Sequence, residues 1–360
     1  MDPSAINWNV TIDDFDSLLT YEDQSVWTTP DPSATNYTIP ANSPWLRGTF
    51  HQTTTKGASV SLNITGPVIY VYGSVGPGFG SYGVEIDSAK QQFSAYRADA
   101  KNTTTLLYAA NNLTFADHTI VLRNLGALKD SGDQGGDAFL LDFIQSTIQL
   151  APAGATVKNV TFEEHDPAIK YTGTWGNNTG PVFSGGSTTF TNGENASFSF
   201  SFQGSAVYVF GDKKNDHGLY SVVLDGRPAV TLNGVSGCGG AFGMTCEQQQ
   251  PSIKYLASNL DDSVHNLTLT NLPGVHGTFF DLDSIVVTVP SQYGPRQLAD
   301  SASSPFTSSS PTAGSQTSPT SGGNNPVNTG AASSSMQMMF NPLFLLIFSA
   351  LYVLRTNYNT

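Results

Sequence analysis

Three tryptophans offer the most suggestive chemistry in the chain. Trp27 ("DQSVWTTP"), Trp45 ("NSPWLRGT") and Trp175 ("YTGTWGNN") stand among polar and turn-forming residues, the setting of loops rather than strands. A pyranose ring presents an apolar C–H face that packs on an indole, while its hydroxyls need planar polar partners, so all three are candidate sugar-binding positions. The same side chains could instead plug the end of a sandwich. Trp27 follows Tyr21 by six residues and Trp175 follows Tyr171 by four, a near repetition compatible with either role.

His118 and His265 form a second candidate pair, each opening an alternating apolar segment ("HTIVLRNL", "HNLTLTNL"). They could contact a ligand or transfer protons; the alternative is a histidine at the mouth of a strand, bonded to the neighbouring loop. Asp142 and Asp283, each in Leu-Asp-x-Ile, alternate against apolar neighbours and are expected to satisfy a nearby turn. The chain has no Gly-x-Ser-x-Gly elbow, no His-Glu-x-x-His, no phosphate-cradling glycine loop and no evident pair of facing carboxylates. On these grounds it is expected not to be an enzyme. A net charge of −13, with 15 Lys and Arg and no basic cluster, excludes nucleic acid as an expected partner.

The elements that must position these residues come in two copies. "NVTIDDFDSLLTY" from Asn9 is answered by "NVTFEEHDPAIKY" from Asn159, and the likeness continues downstream at an offset of 138. "ASVSLNITGPVIYVYG" (58–73) lies over "ASFSFSFQGSAVYVFG" (196–211), and "GSYGVEID" (80–87) over "GLYSVVLD" (218–225). "FLLDFIQSTI" from Phe139 matches "FDLDSIVVTV" from Phe280. Repeats of this length suit domains, not solenoid units. Within them Val60, Leu62 and Ile64, and Phe198, Phe200 and Phe202, alternate with polar residues at the period of a half-buried strand. No helical apolar period is sustained before residue 290, so the chain is expected to be all-β, with two tandem sandwiches over 1–150 and 151–292 joined by "APAGATVK".

The succession YVYG, G-x-Y-x-V-x-(I/L)-D, H-x-(I/L)-x-L-x-N-L and F-x-L-D-x-I resembles the galactose-binding-like β-jelly rolls shared by several carbohydrate-binding modules. The tandem arrangement, together with the Ser/Thr-rich stretch and apolar tail downstream of it, is similar to fungal cell-surface proteins. The resemblance implies a jelly-roll fold, glycan or cell-wall polysaccharide as partner, and framework roles for the Gly-x-Tyr and Leu-Asp-x-Ile strands. It also implies that the acidic cluster Asp13, Asp14, Asp16, answered by Glu163, Glu164, Asp166, could help hold a structural calcium. Solvated charges protecting a strand edge are the plainer reading, and no cofactor is expected.

Nine Asn-x-Ser/Thr sequons, at Asn9, Asn36, Asn63, Asn102, Asn112, Asn159, Asn177, Asn195 and Asn266, point to an extracellular glycoprotein. Cys238 and Cys246 flank the Gly-rich "GGAFGMT", and in an oxidising compartment they would close a small disulfide loop; two cysteines supply no metal set. Residues 293–335, rich in Ser, Thr and Pro, read as a disordered, O-glycosylated stalk. Residues 336–360 contain the apolar run Leu343–Leu354, which fits a GPI-attachment signal or, with Arg355 after it, a single-pass membrane helix. "MDPSAINWNV" does not read as a secretory signal, so upstream sequence is expected to be missing. Together these features predict a membrane-attached surface glycoprotein that binds glycans, or one that serves only as a display module; a glycosidase or esterase is the remaining alternative, since two carboxylates can meet in space without a sequence signature.

Overall fold

The computed structural model describes residues 1–30, 43–101, 103–129, 134–237, 252–274 and 278–294. Cys238, Cys246, Asn36, Asn102, the stalk and the apolar tail lie outside the described residues. The chain is all-β, as its period-two patterning requires.

The first repeat contains β1 (Ile6–Asp13), β2 (Thr20–Tyr21), β3 (His51–Thr53), β4 (Ser59–Thr65), β5 (Val68–Ser74), β6 (Ser81–Ile86), β7 (Ala89–Ser94), β8 (Thr104–Ala110), β9 (Asp117–Gly126) and β10 (Phe139–Ala151). One antiparallel sheet runs β1-β10-β5-β8, with β3 also on β10; the other runs β2-β4-β9-β6-β7. The second repeat contains β11 (Val157–Glu163), β12 (Ile169–Thr172), β13 (Gly176–Thr179), β14 (Ser187–Thr191), β15 (Ser197–Phe202), β16 (Ala206–Gly211), β17 (Leu219–Leu224), β18 (Val230–Asn233), β19 (Ser252–Ser258), β20 (His265–Asn271), β21 (Phe280–Leu282) and β22 (Ser284–Pro290). Its sheets repeat the first order: β11-β22-β16-β19 against β12-β15-β20-β17-β18, with β13-β14-β21 beside them. The split of the last strand into β21 and β22 and the extra β13 are the departures.

Register makes the equivalence residue-specific. Val60, Leu62 and Ile64 on β4 and Phe198, Phe200 and Phe202 on β15 are all buried, each facing its own sandwich core. Burying side chains of this size contributes about 1.5–3 kcal/mol apiece. Gly73 and Gly211, at the ends of β5 and β16, must be glycine, because a Cβ would stand 2.0 Å from the Leu140 carbonyl oxygen and 2.5 Å from that of Asp281. Tyr82 and Tyr220 brace the same spot in each copy, donating to the carbonyls of Leu107 (2.6 Å) and Lys254 (2.7 Å).

The junction between the two sandwiches combines apolar packing with buried polar contacts. Tyr208, Phe210 and Leu256 of the second pack against the core of the first. The turn after β1 inserts beside β19: the Ser17 amide donates to the Ile253 carbonyl (3.1 Å), and the Ile253 amide donates to Asp16 Oδ1 (2.8 Å). This is why the acidic cluster is not a solvated edge: Asp13, Asp14 and Asp16 are all buried. Protein donors already fill it. Thr49 and His51 hold the two oxygens of Asp14 at 2.8 and 2.7 Å, the amides of Asp13 and Ile253 hold Asp16, and Arg47 lies 3.8 Å from Asp13. Hard cations take six or more oxygens, and in the first repeat's cluster only the Asp13 carboxylate has acceptors to spare, so the calcium implied by the resemblance does not fit the Asp13, Asp14 and Asp16 cluster.

Candidate functional site

One shallow concavity among the described residues lies where the sandwich edge opens between β7 and β8. It is a cleft of about 330 Å³ lined by Gln91 and Phe93 from β7, by Leu107, Tyr108, Ala109 and Ala110 from β8, and by Asn111 and Asn112 beyond it. The volume is at the lower end of small-ligand sites. Phe93 and Tyr108 are half-buried and meet edge to face, with ring centroids 5.5 Å apart. Behind them Tyr82 stacks on Phe93 at 5.6 Å and anchors its hydroxyl on the Leu107 carbonyl, so the two rings are held from below. Burial raises the Tyr108 phenol above its ordinary range, leaving it a neutral donor at physiological pH. Gln91, Asn111 and Asn112 are exposed and bring three amides to the rim.

Two aromatic faces fixed among planar amides can pack on the C–H face of a sugar and hydrogen-bond its hydroxyls. Among its described residues the second repeat lacks this arrangement. There Leu232 pairs with Tyr220 as Phe93 pairs with Tyr82, and Leu232 is buried in the core.

The residues singled out from sequence lie elsewhere. Trp27 is 2% exposed, edge-on to Tyr21 at 5.0 Å and Phe139 at 6.3 Å. Trp175 repeats the packing on Tyr171 at 4.8 Å and Phe280 at 6.5 Å, and its indole donates to the Thr172 carbonyl. Both close the end of a sandwich. Trp45 is half-buried against Phe50 and precedes the turn whose Leu46 amide donates to Asp142.

His118 and His265 are buried at equivalent strand mouths. Their Nδ1 atoms bond Asp87 Oδ2 (2.9 Å) and Asp225 Oδ2 (2.8 Å), and their Nε2 atoms face the carbonyls of Thr114 (2.9 Å) and Asp261 (3.2 Å). Asp87 and Asp225 stand in left-handed turn positions, φ 56° and 54°, and also accept the amides of Thr119 and Asn266. Each histidine thus ties a hairpin turn to the neighbouring strand. Asp142 and Asp283 accept the amides of Leu46 and Ser184, which pins the same short turn in each copy.

Of the sequons, Asn9, Asn63, Asn112, Asn159, Asn177, Asn195 and Asn266 are all exposed. No helix among the described residues is long and apolar enough to cross a membrane.

No family model matches the chain. Two curated proteins of Flavonifractor plautii are similar to it in sequence. One, named as an A type blood alpha-D-galactosamine galactosaminidase, is 25% identical over 201 residues, which is 55% of this chain and 18% of that protein. The other, named as an A type blood N-acetyl-alpha-D-galactosamine deacetylase, is 26% identical over 155 residues, 42% of this chain and again 18% of that one. The chain thus spans under a fifth of the length of the curated relatives it matches. Among solved structures, a family 35 carbohydrate-binding module from Clostridium thermocellum is 17% identical and matches 36% of this chain and 98% of its own, with a TM-score of 0.27. These names correct one expectation. The absence of familiar catalytic motifs led to a non-enzyme, yet both curated relatives are named for enzymatic action on galactosamine sugars, so the exclusion does not stand. Its physical weakness is that catalytic side chains meet in space without any fixed spacing in sequence.

Proposed function

We propose that the chain recognises glycans through the cleft of its first sandwich and does so at a cell surface. The observation that carries this reading is the pairing of Phe93 and Tyr108 beneath the amides of Gln91, Asn111 and Asn112. Sugar-binding surfaces need an aromatic face for the ring and planar groups for the hydroxyls, and this edge supplies both. The seven exposed sequons support an extracellular setting, where residues 293–335 would serve as stalk and 336–360 as membrane attachment. The names of the curated relatives direct the choice of first ligands to galactosamine and N-acetylgalactosamine, with cell-wall polysaccharides beside them.

The test is a glycan array followed by calorimetry on the best binder, comparing the natural chain with Phe93→Ala and Tyr108→Ala. Binding lost in both variants, with the fold retained, supports the cleft. Binding unchanged in both would overturn it. The same relatives favour a second reading, in which the chain takes part in hydrolysis or deacylation of amino sugars. Release of sugar or acetate from such substrates by the purified chain would establish that reading.

A further inference from the structure

A second cluster lies where the first sandwich carries three apolar side chains and a serine. The strand registers place Asp212, His217, Lys254 and Asp281 at the positions held in the first repeat by Ser74, Phe79, Leu107 and Leu140. All four are buried, and Lys254 is wholly so. His217 Nε2 stands 2.9 Å from Asp212 Oδ1 and 3.5 Å from Asp281 Oδ1. Neither His217 Nε2 nor Asp212 Oδ1 completes an aligned hydrogen bond among the described residues. These atoms lie side by side rather than donor to acceptor. Ligands 2.0–2.2 Å from one ion are separated by roughly 2.8–3.6 Å in geometries from octahedral to tetrahedral, and both spacings fall within that range.

We propose that His217 Nε2, Asp212 Oδ1 and Asp281 Oδ1 form a binding site for one divalent transition-metal ion of the zinc class. The surroundings have the form that metal ligands require. The far nitrogen of His217, Nδ1, is held by Asp216 Oδ1 at 3.0 Å. Asp281 Oδ2 accepts from Thr188 Oγ1 at 2.8 Å, and Asp212 Oδ2 lies 3.2 Å from Lys214 Nζ. The Asp212 amide donates to Asp281 Oδ1 at 2.9 Å, bringing the two carboxylates together. The non-ligating atom of each side chain thus has a partner, as outer partners of a metal centre do, while Asp281 Oδ1 would ligate through the lone pair that the Asp212 amide leaves free. One imidazole and two carboxylates suit zinc or manganese better than a soft ion. The ion would tie the loop between β16 and β17 to β21. Lys254 Nζ, 4.0 Å from Asp281 Oδ1 and without a hydrogen-bond partner among the described residues, competes with the ion for that carboxylate.

The full chain, carrying C238S and C246S to remove thiol binding, is freed of metal and titrated with Co²⁺ and Zn²⁺. One ion per chain, with visible ligand-field bands for Co²⁺ and a rise in Tm with Zn²⁺, is expected. His217→Phe should abolish binding, Asp216→Asn should weaken it roughly 10–100-fold, and Lys254→Met should tighten it. A chain carrying the first repeat's side chains, D212S, H217F, K254L and D281L, should fold and bind nothing, which separates loss of the site from loss of the fold. The proposal is overturned if the natural chain binds no more metal than this fourfold variant, or if H217F leaves binding unchanged. A Lys254→Met chain that loses stability and takes up no ion would equally overturn it, by making Lys254 the resident cation.

Discussion

Lys254 occupies in the second sandwich the place that Leu107 holds in the first. Each is the bulged residue of its strand, each lies beside the glycine ending the preceding strand, and each gives its carbonyl to the bracing tyrosine, Tyr220 or Tyr82. A backbone kept constant around a change from isobutyl to ammonium shows that the fold does not require the charge. Replacing a buried ionic group by an apolar one of similar volume is often neutral or stabilising, so an ionic layer retained here points to a role other than folding. Leu107 lines the open aromatic cleft of the first repeat, whereas Lys254 belongs to the buried polar cluster of the second.

The cleft and the sandwich ends should respond differently to loss of an aromatic ring. Phe93→Ala or Tyr108→Ala should weaken glycan binding about tenfold or more while costing less stability than loss of a fully buried ring, since both rings are partly exposed. Trp27→Ala should cost about 3–5 kcal/mol of stability, because it empties a fully buried site against Tyr21 and Phe139. Urea denaturation alongside calorimetric titration checks both; a Trp27→Ala chain that stays stable but loses glycan affinity would reverse the assignment.

Much of this architecture was legible in the sequence. The alternation in Phe198, Phe200 and Phe202, and the repeated His118 and His265, marked the strands and their equivalence, because a buried face leaves a period-two trace. The cleft left no such trace. Phe93 and Tyr108 lie on the edge strands of different sheets and meet only through the packing of one sheet on the other, in a stretch where the sequences of the two repeats do not align. The acidic cluster misled for a related reason: whether Asp13, Asp14 and Asp16 face water depends on β19 of the other sandwich, which lies more than 230 residues away. The polar cluster of the second repeat did leave a signal, "GDKKNDHG" where the first has "GSVGPGFG", visible once the copies are set side by side.

The junction between sandwiches should depend on Asp16. Its carboxylate takes the amides of Asp13 and Ile253, so Asp16→Ala leaves two buried donors without acceptors, at a cost of about 2–4 kcal/mol. Loss of this tie should also separate the unfolding of the two sandwiches. Fluorescence and circular dichroism transitions that coincide in the natural chain are expected to part in the variant; coincident transitions at unchanged midpoint would show that the junction does not rest on Asp16.

Stability should fall with rising pH through the titration of Asp142. Burial raises its pKa to about 6 from the ordinary value of 3.8, against the lowering effect of hydrogen bonds from Thr104 and the Leu46 amide. The folded chain therefore holds this proton more tightly than the unfolded chain. Its contribution is fully present below about pH 4 and is lost as pH rises through about 6. Asp142→Asn keeps an acceptor for the Leu46 amide and removes the titration. Denaturation midpoints measured from about pH 4 to 7 should decline less in the variant, and parallel profiles would show that Asp142 does not titrate in this window.

Asn112 should couple glycosylation to the proposed cleft. It is exposed, belongs to the sequon Asn112-Leu113-Thr114, and lines the same opening as Phe93 and Tyr108. An N-glycan attached there would start at the rim of the proposed sugar site, so its first residues would compete with an added ligand at an effective concentration in the millimolar range. Protein made in glycosylating cells should then bind added glycan more weakly than the Asn112→Gln chain, whereas protein made without glycosylation should show no such difference. The sequons Asn63 and Asn266, exposed on strands β4 and β20 away from the cleft, provide the control: their removal should change mass but leave affinity as it was. Equal affinity of the natural and Asn112→Gln chains, with occupancy of Asn112 confirmed by mass spectrometry, would mean that the attached glycan points away from the cleft.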